Sequence, residues 1–259
     1  MTPLIDQLIT DFNIIHFAVI CLALSLGALV KGISSFGLPT VSVPILIMVL
    51  PLPTAISVLA VPLVLSNLYQ MLIAGDVKGS VARHWSLYLT VLVTLPIGVY
   101  FLAVADTNTL SIILGIVLIL VTSMELLGLT FDFVKTKQAF IAPVIGVFSG
   151  IIGGMTSLFA IMPIFFLVAV GLEKERFVSA VSVLLFSGST LLAICLQRTD
   201  HLGLLEAVYG LLGMVPIMFF IWLGTQLRKK VDQELFRKVV LSLILLIGAS
   251  MIYRATIGF

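Results

Sequence analysis

A lysine, two groups of glycines and a few hydroxyls are the residues of this chain whose types and spacing suggest chemistry. They lie in two stretches that interrupt apolar sequence. The first runs from Gly27 to Pro44 and carries Lys31, Gly32, Ser34, Ser35, Phe36 and Gly37. The second runs from Gly146 to Pro163 and carries Gly150, Gly153, Gly154, Thr156 and Ser157. Slid by 119 positions, Gly27 falls on Gly146 and Pro44 on Pro163. Glycine relieves the limits on φ and lets a ligand approach the backbone closely. The free N–H groups and positive dipole end of a helix starting there attract an anion. Ser34, Ser35, Thr156 and Ser157 add hydroxyl donors, and Lys31 adds a full positive charge. The competing reading is close helix packing by small residues. Repetition at corresponding positions favours a site for a small anion.

Further polar residues sit on the helix after each stretch. Ser66, Asn67 and Gln70 lie about one turn apart, with Ser187, Ser189 and Thr190 as rough counterparts. They fit substrate contact and structural hydrogen bonding between helices equally well. Glu125, five residues from the end of its helix, is a candidate proton-coupling carboxylate, set against a structural role near the membrane interface. His16, His84 and His201 all fall near helix ends, and no H-E-x-x-H is present. That argues against an intramembrane protease, and no catalytic residue, metal or cofactor is expected. Cys21 and Cys195 lie inside apolar segments and read as small buried hydrophobes.

The elements that must position these residues are membrane helices. The chain of 259 residues is 61% hydrophobic and only 10% charged, with mean hydropathy +1.27. A soluble domain carries roughly 25% charged residues. Several apolar stretches approach the ~20 residues that span a bilayer. The expected fold is an all-α polytopic membrane protein, and the first apolar stretch is retained because residues 1–13 lack a basic leader. Residues 1–130 form a hairpin at 14–50 and helices at 54–74, 85–104 and 110–129. Residues 131–259 repeat the plan, with a hairpin at 140–170 and helices at 179–197, 204–225 and 238–255. Within the hairpins, the helices are expected at Ile14–Val30, Pro39–Leu50, Phe140–Ile152 and Leu158–Val170. Pro39 suits the first turn of its helix, and Thr156 and Ser157 suit caps.

Basic residues set the orientation. Eleven of the fourteen Lys and Arg fall in the connections at 75–84, 130–138, 171–178 and 225–238. By the positive-inside rule these are cytoplasmic, and 105–109 and 198–203 are external. Both ends of the second hairpin are then cytoplasmic and both ends of the first are external. Each half is a broken, re-entrant hairpin plus three crossing helices. That is an inverted-topology repeat, an arrangement of many secondary transporters whose interrupted helices hold the substrate. Both termini are expected outside the cell membrane. Lys31 is the basic residue that no connection accounts for. An ion in the bilayer centre costs roughly 2.5–3.5 kcal/mol on insertion scales, so it is read as functional rather than as a snorkelling or structural cation.

The paired segments Gly27–Pro44 and Gly146–Pro163 resemble those of the sulfite exporter TauE/SafE family, and the resemblance covers nearly the whole chain. It implies movement of small anions such as sulfite, sulfoacetate and other sulfonates or carboxylates, coupled to a proton or another ion. It implies the lipid bilayer, the anion and the coupling ion as partners, with no nucleic acid. The glycine cluster after the first break is reduced here to Ser34, Ser35 and Gly37. Met155 and Thr156 stand where a further glycine is usual in the second. A passive anion channel of the same architecture is the alternative.

Overall fold

The computed structural model describes residues 14–34, 37–126, 137–227 and parts of 242–256, and among the described residues all regular structure is helical. The helices are α1 (Ile14–Ser34), α2 (Leu38–Leu46), α3 (Leu52–Leu72), α4 (Val77–Val104), α5 (Thr107–Leu126), α6 (Gln138–Thr156), α7 (Ile161–Val170), α8 (Lys174–Arg198), α9 (Leu204–Leu212) and α10 (Met214–Leu227). The succession of long arm, short arm and long helix in α1–α3 recurs in α6–α8. Residues 204–227 form one apolar rod, interrupted at Gly213. There Pro216 has no N–H for the Leu212 carbonyl, so the ladder loses one rung. Counting that rod, five helices among the described residues are long and apolar enough to cross a membrane: Leu52–Leu72, Val77–Val104, Gln138–Thr156, Glu175–Arg198 and Leu204–Leu227. Their outer faces carry exposed Leu72, Val93, Phe140, Val215 and Trp222, as hydrocarbon-facing surfaces do.

Between apolar helices in lipid there is little hydrophobic drive, and close contact through small residues takes its place. Helix α6 shows this along Gly146, Gly150 and Gly154, four residues apart on one face. A methyl group at Gly154 would stand 2.2 Å from the Leu95 carbonyl oxygen and 2.8 Å from Gly98 Cα, both on α4. At Gly150 it would stand 2.1 Å from Thr94 Oγ1, and at Gly146 1.9 Å from Thr90 Oγ1. Helices α1 and α10 meet in the same way, with a methyl at Gly32 falling 2.4 Å from the Ile221 carbonyl oxygen and 2.9 Å from Gly224 Cα. Each long arm thus packs against a helix from the other half of the chain. The short arm α2 lies against α1, where the Ser42 hydroxyl donates to the Ala23 carbonyl at 2.8 Å.

These contacts move the breaks from where composition alone puts them. Helix α1 continues past Val30 to Ser34, so Lys31 and Gly32 are helical. Helix α6 continues past Ile152 to Thr156, through Gly153 and Gly154. Helix packing that only glycine permits outweighs glycine's intrinsic cost of about 1 kcal/mol in a helix. The two arm ends, Ser34 and Thr156, lie 122 positions apart rather than 119. In this register Gly32 corresponds to Gly154. The returning arms begin at Gly37, whose φ of 107° suits glycine, and at Ala160, which caps α7 with no side-chain bond. Thr156 and Ser157 are therefore not its N-caps.

The other boundaries lie near expectation. Helix α4 starts earlier than Trp85, at Val77, but non-helical angles at His84 divide the added turns from the membrane rod. Asp76 caps this start by accepting from the Gly79 N–H at 3.0 Å and pairing with Arg83. The Asp76 N–H donates to Ser179 Oγ of α8 at 3.1 Å. The Arg83 guanidinium, then the Gly79 N–H, hold the Asp76 carboxyl below the usual carboxylate range. Of the expected helix at 238–255, the described residues are helical, and 228–241 lie outside the described residues.

Candidate functional site

Lys31 occupies the last turn of α1 and is only 5% exposed. Its Nζ donates to Ser66 Oγ at 2.8 Å and, in a short contact, to Asn67 Oδ1. Ser66 and Asn67 stand about two-thirds of the way along α3 and are buried. Asn67 then turns its amide to α8, donating to the Leu185 carbonyl at 3.2 Å and to Ser189 Oγ at 3.3 Å. A chain of polar side chains thereby links α1, α3 and α8 inside an apolar bundle.

No carboxylate among the described residues compensates the lysine. Among the described residues the ion pairs are Arg83–Asp76 and Arg176–Glu173, and neither includes Lys31. An ammonium carries three N–H donors, and the two bonded here go to neutral oxygens. Buried charge is tolerated when paired and hydrogen-bonded, so the site has its hydrogen bonds before it has its counter-charge. An anion taking the third donor would supply that charge.

The second break reaches the same crossing from the other side. Helix α6 is capped by Ser157, which takes a left-handed φ of 63° and donates its N–H to the Gly153 carbonyl at 2.7 Å. That conformation costs a non-glycine residue on the order of 1–2 kcal/mol. The Ser157 hydroxyl is buried and has no hydrogen-bond partner among the described residues. Thr156 is committed to the backbone, donating to the Ile152 carbonyl at 2.7 Å and accepting from the Leu158 N–H at 3.3 Å. Phe159 follows, 2% exposed, with its carbonyl accepting from the Ser149 hydroxyl in a short bond. Its ring lies over Gly188 of α8, where a methyl group would stand 2.4 Å from Cε2. Gly188 directly precedes Ser189, the partner of Asn67.

The expected site residues thus separate. Lys31, Ser66 and Asn67 come together. Gln70 lies on the next turn, half-buried. Gly32, Gly150 and Gly154 face neighbouring helices, and Gly153 faces Phe159. Gly37 opens α2. The side chains of Ser34 and Glu125, and all of Ser35 and Phe36, lie outside the described residues. The sequence reading gave no role to Phe159 or Gly188 and took Ser189 only as a counterpart of the α3 polar group. A shift of 122 would have set Ser189 under Asn67, but that shift is visible only once the helix ends are known.

The model of the sulfite exporter TauE/SafE family matches residues 19–251. No curated protein and no solved structure matches the chain. The matched range takes in both breaks, Lys31 and all five apolar rods. This chain is a multi-pass membrane protein and belongs to the sulfite exporter TauE/SafE family.

Proposed function

We propose that the chain is a secondary transporter of small organic or inorganic anions, sulfite and short sulfonates or carboxylates among them, coupled to a proton or another ion. The anion pairs with Lys31 where the two interrupted arms approach the crossing of α3 and α8. Ser66 and Asn67 hold the ammonium in place, and the unpartnered Ser157 hydroxyl is available as a further donor. The two halves act as an inverted repeat in the cell membrane with both termini outside. The observation that carries this reading is a buried lysine amine whose partners among the described residues are the neutral oxygens of Ser66 and Asn67. Family membership supports the anion class.

The test is Lys31→Met, with sulfite binding followed by calorimetry on purified protein. Removing one member of a buried charge pair costs about 2–5 kcal/mol of binding, which is ~30-fold and upward in affinity. Lys31→Arg should retain part of the activity, since charge persists while donor geometry changes. A folded Lys31→Met protein that binds sulfite as tightly as wild type would exclude the charge pairing. Counterflow in proteoliposomes, with and without a pH gradient, separates a coupled carrier from a channel.

A further inference from the structure

The register set by the arm ends pairs Lys31 with Gly153, Ser66 with Gly188 and Asn67 with Ser189. In the first half, the Lys31 side chain bridges from α1 to Ser66 and Asn67 on α3. In the second half, both bridging positions are glycine. The space between them is taken by one residue from the break. A methyl at Gly153 would stand 2.1 Å from Phe159 Cβ, and one at Gly188 2.4 Å from its ring. Lys31 in the first half and Phe159 in the second thus each fill the space between an arm and the following long helix, one with a charge and the other with an aromatic ring.

Resting on the anion site at Lys31, we propose that Phe159 is the specificity-determining wall of that site and limits the apolar part of the anion to a short chain. The ring plugs what would otherwise be a second half-site, so the crossing receives one anion headgroup on the Lys31 side. It leaves no room beyond Ser189 for a long tail. The ring is also held from both ends. Its backbone is tied by the Ser149 bond, and α8 offers it the bare surface of Gly188, so it cannot be displaced cheaply by a larger substrate.

The experiment compares methanesulfonate with hexanesulfonate binding to the purified full chain by calorimetry, alongside the melting temperature of each variant. Wild type should prefer methanesulfonate by about tenfold or more, since single methylenes in a fitted pocket already discriminate at that level. Phe159→Ala should erase most of that preference, chiefly by strengthening hexanesulfonate binding, as expected when an obstructing ring goes. If the alanine variant does not fold, Phe159→Leu carries the same test, with a smaller gain for hexanesulfonate. A folded variant with the wild-type preference unchanged overturns the proposal, as does equal weakening of both anions, the mark of a purely structural ring. Lys31→Met keeps the two ideas apart. Loss of both anions there, with no change of preference in Phe159→Ala, rejects the wall and retains the anion site. Unaltered binding in Lys31→Met rejects the anion site itself, and wild type binding neither probe rejects both.

Discussion

The Asn67 amide donates to the Ser189 hydroxyl at 3.3 Å across 122 positions of sequence, the same distance that separates the two arm ends. In the inverted repeat proposed above, a two-fold relation between the halves would bring a position on its axis against its own counterpart. The cation contacts that residue pair directly, through Asn67 Oδ1. An anion held there would lie between the halves, where a rocking motion could expose it to either side.

Asn67 therefore offers a direct test of the charge argument. Asn67→Asp puts a carboxylate where Lys31 already makes a short contact, and should abolish anion binding in a folded protein by supplying the counter-charge internally. Asn67→Leu should instead lower stability by about 1–3 kcal/mol, because buried partners on α1 and α8 lose their bonds. Sulfite binding at wild-type strength in Asn67→Asp would detach the anion from Lys31.

The glycines of α6 are expected to act on folding. Gly154→Ala forces a methyl to 2.2 Å from a backbone oxygen of α4, and overpacking of this kind costs about 1–3 kcal/mol. Gly153→Val meets the Phe159 backbone at once, so it should lose folded protein rather than selectively lose binding. Gly75→Ala, with nothing within 4 Å, is the control and should melt with wild type. Equal melting temperatures for the alanine variants at 154 and 75 would contradict the packing described here.

Asp76 gives a pH dependence outside the membrane. Its carboxyl is held below the usual range by Arg83 and the Gly79 N–H. The charged form therefore favours the fold at neutral pH, and this contribution disappears as pH falls through the lowered value. Asp76→Asn keeps a capping side chain while removing the charge. The melting-temperature gap between wild type and this variant should be small, constant from neutral pH upward, and closed in strong acid. A gap that widened in acid would give the opposite sign and reject the assignment.

The proposed orientation rests on the basic connections. Single cysteines at Asp106 and Lys174, in an otherwise cysteine-free chain, should react differently with an impermeant reagent added outside intact cells. Position 106 should label and position 174 should not. Labelling at 174 would remove the inverted arrangement.

The sequence discloses the helical class because hydropathy alone demands spanning helices, and it discloses Lys31 because no connection accounts for that charge. Ser66 and Asn67 are legible as a polar turn in an apolar helix. The function of the glycines is not, because a glycine that frees a loop and a glycine that admits a neighbouring helix look alike in one dimension. Only the partner distinguishes them: Gly98 for Gly154 and Gly224 for Gly32. The three-residue error in register has the same origin, and it conceals both the Asn67–Ser189 pairing and the place of Phe159.

The exchange of arms between halves has a consequence for biogenesis. Because α1 is seated on α10 and α6 on α4, each half presents a groove that the other fills, so neither is expected to fold as an autonomous unit. A ribosome that has released α1–α5 has made a chain whose first arm still awaits its docking partner, and that arm must wait through the synthesis of α6–α9. Chains severed between α5 and α6 should accumulate poorly when produced singly and recover when produced together. Stable accumulation of either fragment alone would show that the exchanged arms are dispensable for assembly.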